Sequence, residues 1–137
     1  MNYTYFNPNP NAKTFKSGKP KSWHCQDDVV RAISKVFDKT WIESYELLDE
    51  IAKKNFTTIN DKNVVNELLQ NQNGYKYITY GKPKTGQKRP IIQDFIKEHN
   101  TGTYIIYLRD YYVAVVDGIV YDIQTLDDEA IYSYWEM

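Results

Sequence analysis

Two adjacent carboxylates, Asp27 and Asp28, stand just before an apolar stripe at helical spacing: Val29, Val30, Ile33, Val36 and Phe37. An aspartate at that place is a helix cap, because its carboxylate accepts free amide hydrogens of the first turn and complements the helix dipole. A thiol and an imidazole lie immediately upstream as His24-Cys25, the pair that cysteine nucleophiles use. Neighbours in a loop rarely hold that geometry, and a third group must orient the ring. The plainer expectation is a partly buried thiol and two surface imidazoles, the second being His99. Basic residues gather twice, as Lys13, Lys16, Lys19 and Lys21 and as Lys82, Lys84, Lys88 and Arg89. With tyrosines to stack on bases, these would suit contacts to a nucleic-acid backbone.

Charge argues against that last chemistry. The net charge is −1 and the isoelectric point is near 6.1, whereas phosphate-reading domains are usually strongly basic. The charge is uneven, +6 over residues 1–89 and −7 over residues 90–137, which is a weak sign of two faces. A single cysteine excludes an internal disulfide, and two histidines leave too few soft ligands for a zinc cage. No metal and no cofactor is expected. A reducing, cytoplasmic location follows as the default. No apolar run approaches the roughly 20 residues of a membrane span, and the polar start is not a secretory signal. The 13 tyrosines fit packing better than a dedicated contact surface.

The elements that must position these groups read in order. Residues 1–22 form an extended arm, with Asn7-Pro8-Asn9-Pro10 forcing extended geometry and Phe6, Phe15 and Trp23 available to pin it. Residues 23–137 form a single domain. A first helix runs from Asp28 to Phe37, its stripe inward and Arg31, Ser34 and Lys35 on the other side. A second runs from Trp41 to Lys54 behind a Thr40–Glu43 capping box, with Trp41, Ile42, Tyr45, Leu48, Ile51 and Ala52 inward. A third covers residues 62–72. Tyr75–Tyr80 reads as a strand, residues 81–89 as a basic loop and Pro90–His99 as a short helix. Strands follow at Thr103–Leu108, Tyr112–Val116, Ile119–Ile123 and Ile131–Trp135, with Asp117-Gly118 as a two-residue hairpin turn. Asp127-Asp128-Glu129 is a polar turn before the last strand. Helices first and an antiparallel sheet afterwards define an α+β domain.

The words along this chain are Asn7-Pro8-Asn9-Pro10, Asp27-Asp28-Val29-Val30-Arg31-Ala32-Ile33, Gly102-Thr103-Tyr104-Ile105, Val113-Ala114-Val115-Val116-Asp117-Gly118 and Tyr121-Asp122. Their order and content resemble a group of small papain-like cysteine peptidase-like proteins found largely in phages and mobile elements of Gram-positive bacteria. In that group an Asn-Pro-rich segment precedes Asp-Cys-Val-Val-Arg-Ala-Ile at the start of a helix, and a histidine-bearing strand ends in Val-Asp-Gly. The resemblance implies a papain-like fold, N-terminal helices packed on a C-terminal antiparallel sheet. It places Asp28 at the nucleophile position, Tyr111 at the base position and Asp122 as the surviving carboxylate.

A thiolate attacks a carbonyl in that family, and an imidazole serves as base. Asp28 offers no comparable nucleophile, and a tyrosine hydroxyl with a reference pKa of about 10 is a donor at neutral pH rather than a base. The expectation is a catalytically inactive binding module whose cleft holds Asp27, Asp28, Tyr111 and Asp122 and accepts a basic or hydrogen-bonding peptide. The family's setting implies a host protein as partner, bound as an inhibitor or counter-defence factor. Three other readings stay open: a hydrolase using Cys25, a nucleic-acid-binding module using the basic arm and loop, and a divalent cation held by Asp27, Asp28 and Asp122.

Overall fold

The structure, a computed structural model, describes residues 2–11 and 26–137. His24, Cys25, Phe15, Trp23 and the basic arm residues Lys13, Lys16, Lys19 and Lys21 lie outside the described residues. The elements follow in order as β1 (Tyr3–Tyr5), α1 (Asp28–Phe37), α2 (Trp41–Lys54), α3 (Lys62–Asn66), β2 (Lys76–Thr79), α4 (Ile92–Glu98), β3 (Thr103–Leu108), β4 (Tyr111–Val116), β5 (Ile119–Asp122) and β6 (Ser133–Glu136). Among the described residues the sheet has the order β1-β5-β4-β3-β6-β2. The fold is therefore mixed α+β.

Alternation along the strands divides the core into two layers, because successive side chains leave opposite faces of a sheet. Ile105, Tyr112, Ala114 and Trp135 meet Val29, Val30, Ile33, Leu48, Val65 and Leu69 of the first three helices. Tyr104, Ile106, Val113, Val115 and Tyr134 meet Ile92, Phe95 and Ile96 of α4 on the other face. Trp135 is fully buried, and its indole N–H donates to Asn66 Oδ1 at 3.0 Å. Ile131 and Tyr134 are buried too, so the segment after Asp127-Asp128-Glu129 packs inward.

Several expectations need correction. The sheet is mixed rather than antiparallel, because β1 pairs in parallel with β5 and adds the start of the arm as an edge strand. The Phe6 amide donates to the Asp122 carbonyl at 3.0 Å, and the Phe6 ring meets Tyr121 edge-on. The fourth helix begins at Ile92 and not Pro90, since Ile91 bridges to Ala130 and the Pro90 carbonyl accepts the Ile131 amide at 2.8 Å. Ile42 is half exposed rather than inward. The third helix turns π-helical over Glu67–Gln72 and ends where Gly74 takes a left-handed φ of 71°.

Local chemistry sets the remaining boundaries. The Thr40 side chain accepts the Glu43 amide at 3.1 Å while the Glu43 carboxylate accepts the Thr40 amide at 3.0 Å, so α2 opens on the expected capping box. Asp117 and Gly118 both have positive φ, 49° and 76°, the geometry that a two-residue turn needs to follow the strand twist.

Candidate functional site

The N-terminus of α1 meets the start of β4 and the end of β5. Asp27 is the residue that precedes the helix, but it makes no side-chain cap hydrogen bond. Its carboxylate instead binds the Arg31 guanidinium one turn on, the Trp41 indole N–H at 2.9 Å and the Asn9 amide at 3.1 Å. Asp28 is the first helical residue, and its Oδ2 accepts the Tyr112 backbone amide at 2.7 Å. The expected cap is thus a pair of tertiary anchors, one tying α1 to α2 and the N-terminal strand segment, the other tying it to β4.

Arg31 was expected on the outer side of its helix and is instead buried at the centre, only 4% exposed. Its Nη2 donates to the Tyr111 hydroxyl at 2.6 Å and to Asp122 Oδ1 at 3.2 Å. The Tyr111 hydroxyl donates in turn to Asp122 Oδ2 at 2.8 Å. The Gln124 amide donates to the same oxygen at 3.3 Å. Ser34, expected outside as well, is also buried. The i,i+4 spacing of Asp27 and Arg31 was the sequence signal for this ion pair, although that spacing usually marks a solvated helix face.

The groups brought together are therefore Asp27, Asp28, Tyr111 and Asp122, with Arg31 and Trp41 as members that sequence reasoning missed. Burial pushes the Tyr111 hydroxyl well above the usual tyrosine range, and Asp122 beside it adds to the rise, while Arg31 opposes it. The hydroxyl stays protonated. Burial likewise raises Asp28, against the lowering effects of the Tyr112 amide and Arg31. Burial raises Asp122 too, with Arg31 and the Tyr111 hydroxyl pulling the other way. The Asp28 carboxylate and the Tyr111 hydroxyl do not hydrogen-bond to each other; each is committed elsewhere.

Two cavities open here, of about 220 and 290 Å³, and both are lined by Gln26, Asp28 and Asp110. The first continues to Tyr111 and Gln124, the second to Asn60, Lys62 and Tyr107. Through these shared residues the two cavities adjoin one another as a cleft at the start of α1. Asp27, Asp28 and Asp110 outnumber Arg31 and Lys62 in their lining, so the balance is negative, while Asp122, expected in the cleft, lines neither cavity and is buried behind it.

The other candidates lie apart from this network. His99 ends α4, stacked on Phe95 with ring centroids 4.0 Å apart and Nδ1 3.1 Å from the Phe95 carbonyl. Lys82, Lys84 and Lys88 are exposed in the basic loop, and Arg89 lies over the Tyr132 ring at 4.0 Å while donating to the Gly81 carbonyl. Among the described residues no group of three His, Cys, Asp or Glu side chains has the geometry to hold a metal ion, so the alternative of a cation held by Asp27, Asp28 and Asp122 finds no support. No described helix is long and apolar enough to cross a membrane.

Neither a family model, nor a curated protein, nor a solved structure matches the chain.

Proposed function

We propose that this domain is a non-catalytic, papain-like binding module that holds an extended segment of a partner protein in the cleft at the start of α1. One observation carries the reading. The polar groups at the start of α1 are committed to one another: Arg31 binds Asp27, Asp122 and Tyr111, Tyr111 binds Asp122, and Asp28 is held by the Tyr112 amide. A hydrolase needs a nucleophile within hydrogen-bond reach of a base, with the base oriented by a third group. Here Asp122 is the orienting group, but what it orients is a hydroxyl held protonated. The resemblance of the sequence to phage-borne peptidase-like proteins makes a host protein the partner, and the negative cleft favours a basic segment of it. An inhibitory or counter-defence role follows from that setting.

The test combines two measurements. Mass spectrometry of a degenerate peptide mixture incubated with the protein should show no cleavage, with Cys25→Ala identical to wild type. Affinity capture from a Gram-positive bacterial lysate should then lose its specific partner in an Asp110→Lys, Gln124→Lys variant, whose substitutions are on the exposed rim. Cleavage abolished by Cys25→Ala would replace this reading with a relocated thiol centre. Capture unchanged by the rim variant would take the partner out of the cleft.

A further inference from the structure

β2 stands at one end of the sheet, and among the described residues only β6 pairs with it. Two hydrogen bonds fix which way its backbone points. The Tyr80 amide donates to the Tyr132 carbonyl at 3.1 Å, and the Met137 amide donates to the Thr103 carbonyl at 3.1 Å. Bonding direction alternates along an antiparallel strand, so Tyr134 and Glu136 turn to β2, where Ile78 and Lys76 meet them. The N–H and C=O groups of Tyr77 and Thr79 therefore point away from β6. No turn or loop among the described residues bonds to them.

Exposed lysines surround this edge. Lys76 shares a sheet face with Ile78, while on the other face Lys62 of α3 lies over Tyr77, its Nζ 5.0 Å from the ring centroid. Just past the strand, Arg89 donates to the Gly81 carbonyl at 2.7 Å and the Gln87 amide to the Lys84 carbonyl at 2.9 Å. These bonds close the loop that presents Lys82, Lys84 and Lys88 to solvent. None of the five lysines forms an ion pair with a described carboxylate, although Glu136 stands across from Lys76 on β6.

We infer that the β2 edge takes an extended, acidic segment of a partner protein as an added strand. Main-chain bonds to Tyr77 and Thr79 fix its register, and carboxylates on its two faces meet Lys62 or Lys76. The loop lysines extend the same preference beyond the strand end. A free edge alone would also accept a second copy of this chain. Symmetric pairing, however, sets the lysines of both copies against each other, and lysine on an edge strand opposes such pairing. Lys62 lines the second cavity at α1, but none of residues 76–89 lines either cavity, so the edge stands apart from the proposed function.

The probe is a fluorescein-labelled peptide of roughly ten residues, the length of a long strand, alternating valine with glutamate; a valine–lysine peptide is the control. Anisotropy should show binding of the glutamate peptide alone, weakening as salt rises. Amide hydrogen exchange in the complex should slow at Tyr77 and Thr79, while Ile78, already bonded to β6, should not change. Thr79→Pro removes one outward N–H and spares the ladder to β6. The exposed triple variant Lys82→Glu, Lys84→Glu, Lys88→Glu reverses the charge of the loop. Each should weaken binding roughly tenfold. Equal binding of the two peptides, binding of neither, or binding that leaves exchange at Tyr77 and Thr79 unchanged would overturn the inference. So would tighter binding of an oligothymidylate of equal charge, which would assign the lysines to nucleic acid. Exchange at Tyr77 and Thr79 that slows with the concentration of the protein alone would overturn it too, since the occupant would then be a second copy.

Discussion

Arg31 on α1 reaches Asp122 at the end of β5, Nη2 to Oδ1 at 3.2 Å, with both side chains almost wholly buried. The first helix and the far hairpin are thereby joined through a charge pair that water does not screen. Breaking one partner of a buried pair leaves the other charge uncompensated, which costs more than the pair contributes in net terms. Arg31 faces two carboxylates, so its loss exposes both Asp27 and Asp122.

Arg31→Met should therefore destabilise the domain by about 3–5 kcal/mol in chemical denaturation. Adding Asp122→Asn should recover part of that loss by removing the stranded charge. A single-variant loss below about 1 kcal/mol would mean that water reaches the carboxylates once the guanidinium is gone.

Tyr111→Phe removes one hydroxyl that both accepts from Arg31 and donates to Asp122. Asp122 Oδ2 would keep only the Gln124 amide at 3.3 Å. The expected loss is about 1–3 kcal/mol, the penalty for leaving a buried acceptor unsatisfied. A double-mutant cycle with Asp122→Asn should return a favourable coupling; zero coupling would show that the hydroxyl is held by Arg31 alone.

Much of the scaffold was legible because local signals and packing agreed. The spans Asp28–Phe37 and Trp41–Lys54 follow from an apolar stripe and a capping box, and Thr103–Leu108 from β-branched and aromatic residues. What stayed hidden depends on partners distant in sequence. Arg31 reads as a solvated helix residue until Tyr111 and Asp122, 80 and 91 positions away, surround it. The parallel pairing of Tyr3–Tyr5 with Val120–Asp122 has no signature in a strand of three residues. The capping role expected of Asp27 or Asp28 failed because Arg31, Trp41 and Asn9 claim the first carboxylate and the Tyr112 amide the second, and side-chain patterns on one helix cannot reveal that competition.

Gly118 gives a prediction about the hairpin that carries Tyr111 and Asp122 on its two strands. Its φ of 76° is strained for a side-chain-bearing residue, and a Cβ there would lie 3.3 Å from the Asn100 carbonyl oxygen. Gly118→Ala should cost roughly 1–2 kcal/mol, more than glycine's loss of chain entropy gives back. Thermal unfolding would check this, and a midpoint at or above wild type would require the turn to change type.

Asp28 ties stability to pH with an unusual sign. Burial raises its pKa in the folded protein above the ordinary 3.8, so the native state binds this proton more tightly than the unfolded chain does. As pH rises from that ordinary value through the folded one, ionising Asp28 lowers stability, and at neutral pH the full penalty is present. An amide at position 28 keeps an oxygen for the Tyr112 N–H without the charge. Asp28→Asn should accordingly be more stable than wild type at neutral pH, with the difference vanishing below about pH 3, where the carboxyl is protonated in both states. Urea denaturation of the two proteins across that range is the measurement. An Asp28→Asn variant that is weaker at neutral pH would show that the charged hydrogen bond to Tyr112 outweighs the desolvation of the carboxylate.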